Sequence, residues 1–184
     1  MEKFIVVMGV SGCGKTTIGR ALANDLGWPF YDGDDYHPSE NVEKMRGGIP
    51  LNDEDRAGWL ETLANIIRDS LGKGQSGVLA CSSLKQKYRD QLAVGPEVKF
   101  VYLKGEYELI KTRMEYRSGH YMKPGMLDSQ FATLEEPVET EALTVDASKN
   151  PEQILDLTKK EFNLSLYEKG VHGEIFESCK GIDF

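Results

Sequence analysis

The chain has 184 residues, 40% of them hydrophobic and 28% charged, with a formal net charge of −8. That length supports one domain with a sizeable core, and the composition is that of a soluble globular protein. The acidic balance argues against a nucleic-acid or anionic-membrane surface, so any anionic ligand needs a local basic pocket. No apolar stretch approaches the ~20 residues of a membrane span. Cys13, Cys81 and Cys179 are odd in number and widely spaced. They form neither a disulfide framework nor a zinc pattern and read as reduced thiols of a cytoplasmic protein. Met1-Glu2-Lys3 runs straight into the first apolar segment, which leaves no room for a signal peptide.

Phe4 to Met8 is a short β-branched run, and Gly9-Val10-Ser11-Gly12-Cys13-Gly14-Lys15-Thr16-Thr17 follows it directly. This is the G-x-x-x-x-G-K-[ST] pattern of a phosphate-binding loop. The strand delivers the chain to a sheet edge, and the glycines let main-chain N–H groups converge on an anion. Lys15 supplies charge to the β- and γ-phosphates, and Thr16 offers a hydroxyl to Mg²⁺. The helix that begins there adds the positive end of its dipole. Ile18, Leu22 and Leu26 line one face of that helix, which Gly27 ends.

Trp28 to Tyr31 reads as a second strand running into Asp32-Gly33-Asp34-Asp35, and Pro38 opens a short helix to about Arg46. Asn52 or Asp53 caps a longer helix whose buried stripe is Trp59, Leu60, Leu63, Ile66, Ile67 and Leu71. Val78 to Ser82 is a third strand, Leu84 to Leu92 a helix, Lys99 to Leu103 a fourth strand and Glu106 to Arg117 another helix. Ser118 to Gly125 reads as a mobile flap. Leu143 to Ala147 is the fifth strand, and Asn150-Pro151 starts the last helix. Alternating strands and helices predict an α/β fold, a parallel sheet with helices on both faces.

Asp32 and Asp34 end the second strand, where a parallel sheet presents its ligands. Two carboxylates at this spacing serve one cleft, one holding Mg²⁺ and the other accepting a hydroxyl proton, or else form a helix-capping turn. Arg113 and Arg117 share a helix face. They read either as phosphate clamps or as partners of Glu106, Glu108 or Glu115. Lys44, Arg46 and Arg56 flank an acceptor pocket with His37 at its entrance, where His37 either faces the ligand or caps the next helix. Lys85 follows the third strand within reach of substrate, and Arg89 pairs with Asp90. Cys13 sits at a helix N-terminus, where a thiol pKa falls.

These residues together, with Gly48-Ile49-Pro50-Leu51-Asn52-Asp53-Glu54-Asp55-Arg56, Trp59-Leu60, Ser83-Leu84-Lys85, His120-Tyr121-Met122 and Ser129-Gln130-Phe131, resemble the small P-loop gluconokinases, relatives of shikimate kinase and the nucleoside monophosphate kinases. The resemblance runs from about residue 4 to 160. It implies a five-stranded parallel sheet with a lid over about residues 117–135, an acceptor region over about 33–60, a kinase domain over 1–170 and an extension over 171–184. It further implies ATP-dependent phosphorylation of D-gluconate on its 6-hydroxyl, with Mg²⁺ as cofactor, by a homodimer. On this likeness Gly9, Ser11, Gly12, Cys13, Gly14, Lys15, Thr16 and Thr17 hold the nucleotide phosphates, and Arg113 lies against adenine. Thr16 and Asp32 locate the metal. Lys15, Asp34 and Arg117 are catalytic, while Asp34, His37, Lys44, Arg56, Lys85, His120 and Gln130 face the acceptor, with Arg56 as carboxylate clamp. Cys81 stands where related kinases carry an aspartate, which leaves metal support to Thr16 and Asp32. A shikimate-type or nucleoside monophosphate kinase is the alternative within the fold, and an ATP-binding regulatory switch the alternative outside enzymes.

Overall fold

The computed structural model describes residues 2–116 and 124–164. Its centre is β1 (Phe4–Met8), apolar and fully buried at every position. A strand buried on both faces needs cover on both, which is the situation of an inner strand of a parallel sheet. β1 lies between β3 (Gly77–Ala80) and β4 (Val98–Lys104), with β2 (Phe30–Asp32) outside β3 and β5 (Ala142–Asp146) outside β4. All four pairings are parallel, so every strand ends on the same edge.

Alternation along β1 divides the core into two halves. Ile5 and Val7 face a layer containing Ile18 and Leu22 of α1 (Lys15–Leu26) and Ile154 of α7 (Pro151–Phe162). Phe4, Val6 and Met8 face the opposite layer, built by Trp59, Leu60 and Leu63 of α3 (Asp53–Gly72) and Leu92 of α4 (Gln86–Leu92). The order β2-β3-β1 makes the turn after β2 and the loop after β1 meet on one side of the sheet edge.

Local chemistry explains where the elements start and stop. Gly27 closes α1 with φ 68°, and the Trp28 N–H donates to Ala23 O at 2.9 Å in a Schellman-type turn. Trp28 is therefore part of the helix cap, and β2 begins at Phe30 rather than at Trp28. Asn52 is the cap of α3. Its side chain accepts from the Asp55 N–H, and the Asp55 carboxylate accepts in return from the Asn52 N–H, a reciprocal capping box. Asn150 and Gln153 repeat that arrangement at α7. Between β2 and α2 (Ser39–Arg46) lies a 3₁₀ turn, Gly33–Tyr36.

The stretch read as a flap is in part regular. Pro124 and Gly125, read as the end of the flap, open a helix, α6 (Pro124–Thr133), after α5 (Tyr107–Tyr116). Proline suits the first helical turn because its missing N–H has no acceptor there anyway. Residues 117–123, with the rest of the flap and the candidates Arg117 and His120, lie outside the described residues, as do residues 165–184, which include the extension over 171–184.

The indole of Trp59 anchors the turn after β2: it is 2% exposed, and its Nε1–H donates to Gly33 O at 2.7 Å. Replacement by phenylalanine leaves that carbonyl unpartnered inside the core. Trp59→Phe should lower unfolding free energy by about 1–3 kcal/mol, measured by urea denaturation. An unchanged midpoint would remove this bond from the anchoring of the turn.

Candidate functional site

The loop from Gly9 to Gly14 joins β1 to α1. Gly12 and Gly14 have φ of 85° and 105°, which other residues adopt only under strain. At Gly12 a side chain would also strike Met114, 2.8 Å from the added carbon. Lys15 folds back over the loop, its Nζ donating to Val10 O at 3.0 Å. The Thr16 hydroxyl donates to Asp32 Oδ2 at 3.0 Å, and Asp32 Oδ1 accepts from the Asp34 N–H at 3.3 Å. The first turn of α1 and the end of β2 are thus joined directly.

Ser11 to Thr17 line a cavity of about 1160 Å³ together with Asp32, Asp34 and Asp35. Its far wall comes from α5 and the turn after β5, including Arg113, Met114, Ala147 and Lys149. Arg113 donates to Ala147 O at 2.8 Å, not to a glutamate of its own helix, which ties α5 to that turn. Gly9 opens the loop at a crowded point, where an added carbon would meet Cys13 Sγ and Leu103 O within 3 Å. Cys13 is packed in the core at 2% exposure although it also borders the cavity. Burial pushes its thiol up, against the lowering expected of a helix N-terminus, with Lys15 opposing in part. Cys81 is also buried, and its thiol is pushed up to about 11.

Of the acceptor-side candidates, His37 lies against Trp59, and Arg56 and Lys85 lie near Tyr88. His37 stacks on Trp59 with ring centroids 4.1 Å apart, and its Nε2 lies 4.0 Å from Asp34 Oδ1. Burial lowers the His37 pKa, Asp34 opposes that and nearby Arg56 adds to it, so the ring is neutral at pH 7. Asp34 itself is open to solvent, with 82% of its side chain exposed.

The cations differ in their partners. Lys44 pairs with Asp55 at 2.5 Å. Lys85 and Lys87 share Asp53 at 2.9 and 2.5 Å, and the Tyr88 hydroxyl donates to the same carboxylate. Hydrogen bonds from Lys87, Tyr88 and Lys85, in that order, hold the Asp53 carboxyl well below the usual range. Arg56 instead donates to the Leu51 and Asn52 carbonyls and lies 5.7 Å from the centre of the Tyr88 ring. Among the described residues, Arg56 is the one of Lys44, Arg56 and Lys85 without a carboxylate partner. Arg46 is exposed. Arg89 does not pair with Asp90. It is buried and reaches Glu141 at 3.3 Å and the Glu135 carbonyl at 2.9 Å.

Gln130 of α6 bonds twice to Ser11 of the loop, a contact that no local sequence pattern announces across 119 residues. The Asp53–Tyr88 hub was equally unmarked, although Lys85 and Tyr88 stand at helical spacing. Both are products of the fold.

Iodoacetamide should leave Cys13 and Cys81 of the native protein unmodified over a time in which the unfolded chain reacts fully, read by peptide mass spectrometry. Rapid labelling of Cys13 would restore an activated thiol.

The sequence model of the shikimate kinase family matches residues 11–160. The thermosensitive gluconokinase of Escherichia coli (strain K12) is 51% identical, over 74% of this chain and 73% of that protein. A probable gluconokinase of Rattus norvegicus is 47% identical, over 72% of this chain and 82% of its own, and a gluconokinase of Gluconobacter oxydans (strain 621H) is 44% identical, over 84% and 88%. Among solved structures, a gluconokinase from Sinorhizobium meliloti 1021 superposes with a TM-score of 0.79 at 38% identity, covering 88% of this chain and 91% of that one. A sugar kinase from Janibacter sp. HTCC2649 gives 0.84 at 41%, covering 90% and 96%. The loop after β1, the carboxylates after β2 and these likenesses across most of the length agree, and the chain belongs to the gluconokinase family of shikimate kinase-like kinases.

Proposed function

We propose that the protein transfers the γ-phosphoryl group of ATP to the 6-hydroxyl of D-gluconate, giving 6-phosphogluconate and ADP. The observation that carries this reading is that the phosphate loop and the exposed Asp34 line one continuous cavity. Of the acceptor-side candidates Asp34 alone lines that cavity, while His37, Lys44, Arg56, Lys85 and Gln130 stand outside its lining. Asp34 therefore marks where an acceptor would meet the phosphates, and phosphoryl transfer asks the protein mainly for alignment and charge neutralisation.

In this reading the N–H groups of the loop and Lys15 bind the β- and γ-phosphates, and Arg113 lies beside the adenine. The bond between the γ-phosphorus and its bridging oxygen breaks, ADP leaves with that electron pair, and the sugar oxygen forms the new bond. Asp34 receives the hydroxyl proton. Thr16 and Asp32 present a hydroxyl and a carboxylate side by side, the hard oxygen donors that suit Mg²⁺. When bound, the ion would neutralise phosphate charge. Arg117 and His120 act from the lid in the same proposal, and the protein works as a cytoplasmic homodimer, for which the support is the sequence resemblance.

Arg56 fits the sugar carboxylate because its guanidinium is not neutralised by a neighbouring acid, whereas Lys44 and Lys85 are already paired. His37 and Gln130 complete the acceptor side in the sequence reading. A nucleoside monophosphate kinase has a dianion to hold and wants several such cations. A regulatory switch has no use for a second small-molecule pocket, and relatives above 40% identity carry the gluconokinase name.

Three measurements test the assignment. A coupled assay should show ADP release with D-gluconate and none above background with shikimate or nucleoside monophosphates. Asp34→Asn should reduce turnover about 10²-fold or more while ATP affinity stays nearly constant. Arg56→Ala should raise the KM for gluconate about ten- to hundredfold and leave the KM for ATP close to wild type, and an equal rise in both would remove Arg56 from the carboxylate.

A further inference from the structure

The phosphate loop is not free-standing. The Ser11 main-chain N–H donates to Gln130 Oε1 at 2.7 Å, and Gln130 Nε2 donates to Ser11 Oγ at 3.1 Å. The orientation of the amide is forced by chemistry, because a main-chain N–H cannot accept a hydrogen bond. Gln130 must therefore present its carbonyl to the N–H and its NH₂ to the hydroxyl. The hydroxyl, already accepting from Gln130, has its own hydrogen left to give elsewhere. Ser11 lines the cavity.

The position of that hydroxyl fixes which part of a nucleotide it meets. Lys15 Nζ sits on the carbonyl of Val10, the residue immediately before Ser11, so the lysine charge and the serine hydroxyl bracket one place. A loop lysine serves the β- and γ-phosphates, which puts Ser11 at the phosphoryl group being transferred. A glutamine is suited to hold it there. Its neutral carbonyl satisfies the N–H without adding negative charge beside a triphosphate, as a glutamate would.

We propose that Ser11 donates a hydrogen bond from its hydroxyl to the γ-phosphoryl group and that Gln130 is the positioning residue that orients it. The inference rests on the kinase reading above and moves Gln130 from the acceptor side to the nucleotide side. It also gives α6 a function. Leu127 of α6 is packed in the core with Val10 and Cys13, and the Tyr107 hydroxyl donates to Asp128 at 2.6 Å. Just past the helix, the Glu135 N–H donates to Leu84 O at 2.8 Å, and its carboxylate accepts from the Gln86 N–H at 2.7 Å. The helix and the turn after it thus contact both the phosphate loop and the segment that carries Lys85.

The test uses full-length protein with Ser11→Ala, Gln130→Ala, Gln130→Glu and the double alanine variant. Ser11→Ala and Gln130→Ala should each lower kcat about tenfold or more, with the KM for gluconate within about twofold of wild type. The double variant should be no worse than the poorer single one, because the two act as a unit. Gln130→Glu should be slowest, since a carboxylate cannot donate to the serine and draws its hydrogen away from the phosphate. Calorimetric titration without any acceptor supplies a second readout. Ser11→Ala should weaken a non-hydrolysable ATP analogue about tenfold while ADP affinity holds, whereas a merely structural lesion would weaken both alike. Additive losses, equal weakening of both nucleotides, or a raised gluconate KM at unchanged kcat would overturn the assignment. Because the titration contains no sugar, its result stands apart from whether wild-type enzyme phosphorylates gluconate.

Discussion

The site depends on a constraint set by five residues: β1 is apolar throughout and must be covered on both faces. That requirement places it inside a parallel sheet with helical layers on either side, and parallel strands all end on one edge. The glycine loop after β1, the carboxylates after β2 and the segment after β3 are brought to that edge by the sheet order alone. The bond from the Thr16 hydroxyl to Asp32 then fixes the first two relative to each other. Take away the two-sided burial of β1, and the groups that meet there have no reason to be neighbours.

An acidic protein that binds anions has to arrange its charge locally. Here most cations near the acceptor region are held by aspartates of the α3 N-terminus, where carboxylates also favour the helix dipole. Asp53 and Asp55 serve two ends at once, helix initiation and the restraint of lysines. Arg56, one turn later, escapes that restraint and rests against the Tyr88 ring. The result is a region in which Lys44, Lys85 and Lys87 are paired with aspartates and Arg56 is not.

The helix α6 and the turn after it link the phosphate loop to the segment between β3 and α4. Gln130 reaches back to the phosphate loop, and the turn after the helix holds the chain between β3 and α4 through Glu135. Arg89 reinforces that turn from beneath, donating to the Glu135 carbonyl and pairing with Glu141 while almost fully buried. A buried guanidinium is stable only with such partners, so its environment is tightly specified.

The sequence by itself determined the fold class, the succession of strands and helices, the phosphate loop and the family, because each rests on local periodicity, on glycine at fixed spacing or on motifs read as a block. It placed the caps at Gly27 and Asn150 for the same reason, while the Trp28 misassignment and the unrecognised helix at Pro124 show how a cap or a breaker residue changes meaning with its neighbours. Tertiary structure alone decided which strands are adjacent, which lysines are already neutralised, that Cys13 is buried rather than activated, and that Gln130 meets Ser11. Those outcomes depend on contacts between residues far apart in the chain, and a side chain's charge, burial and free hydrogen-bonding capacity are set by whatever those contacts bring beside it.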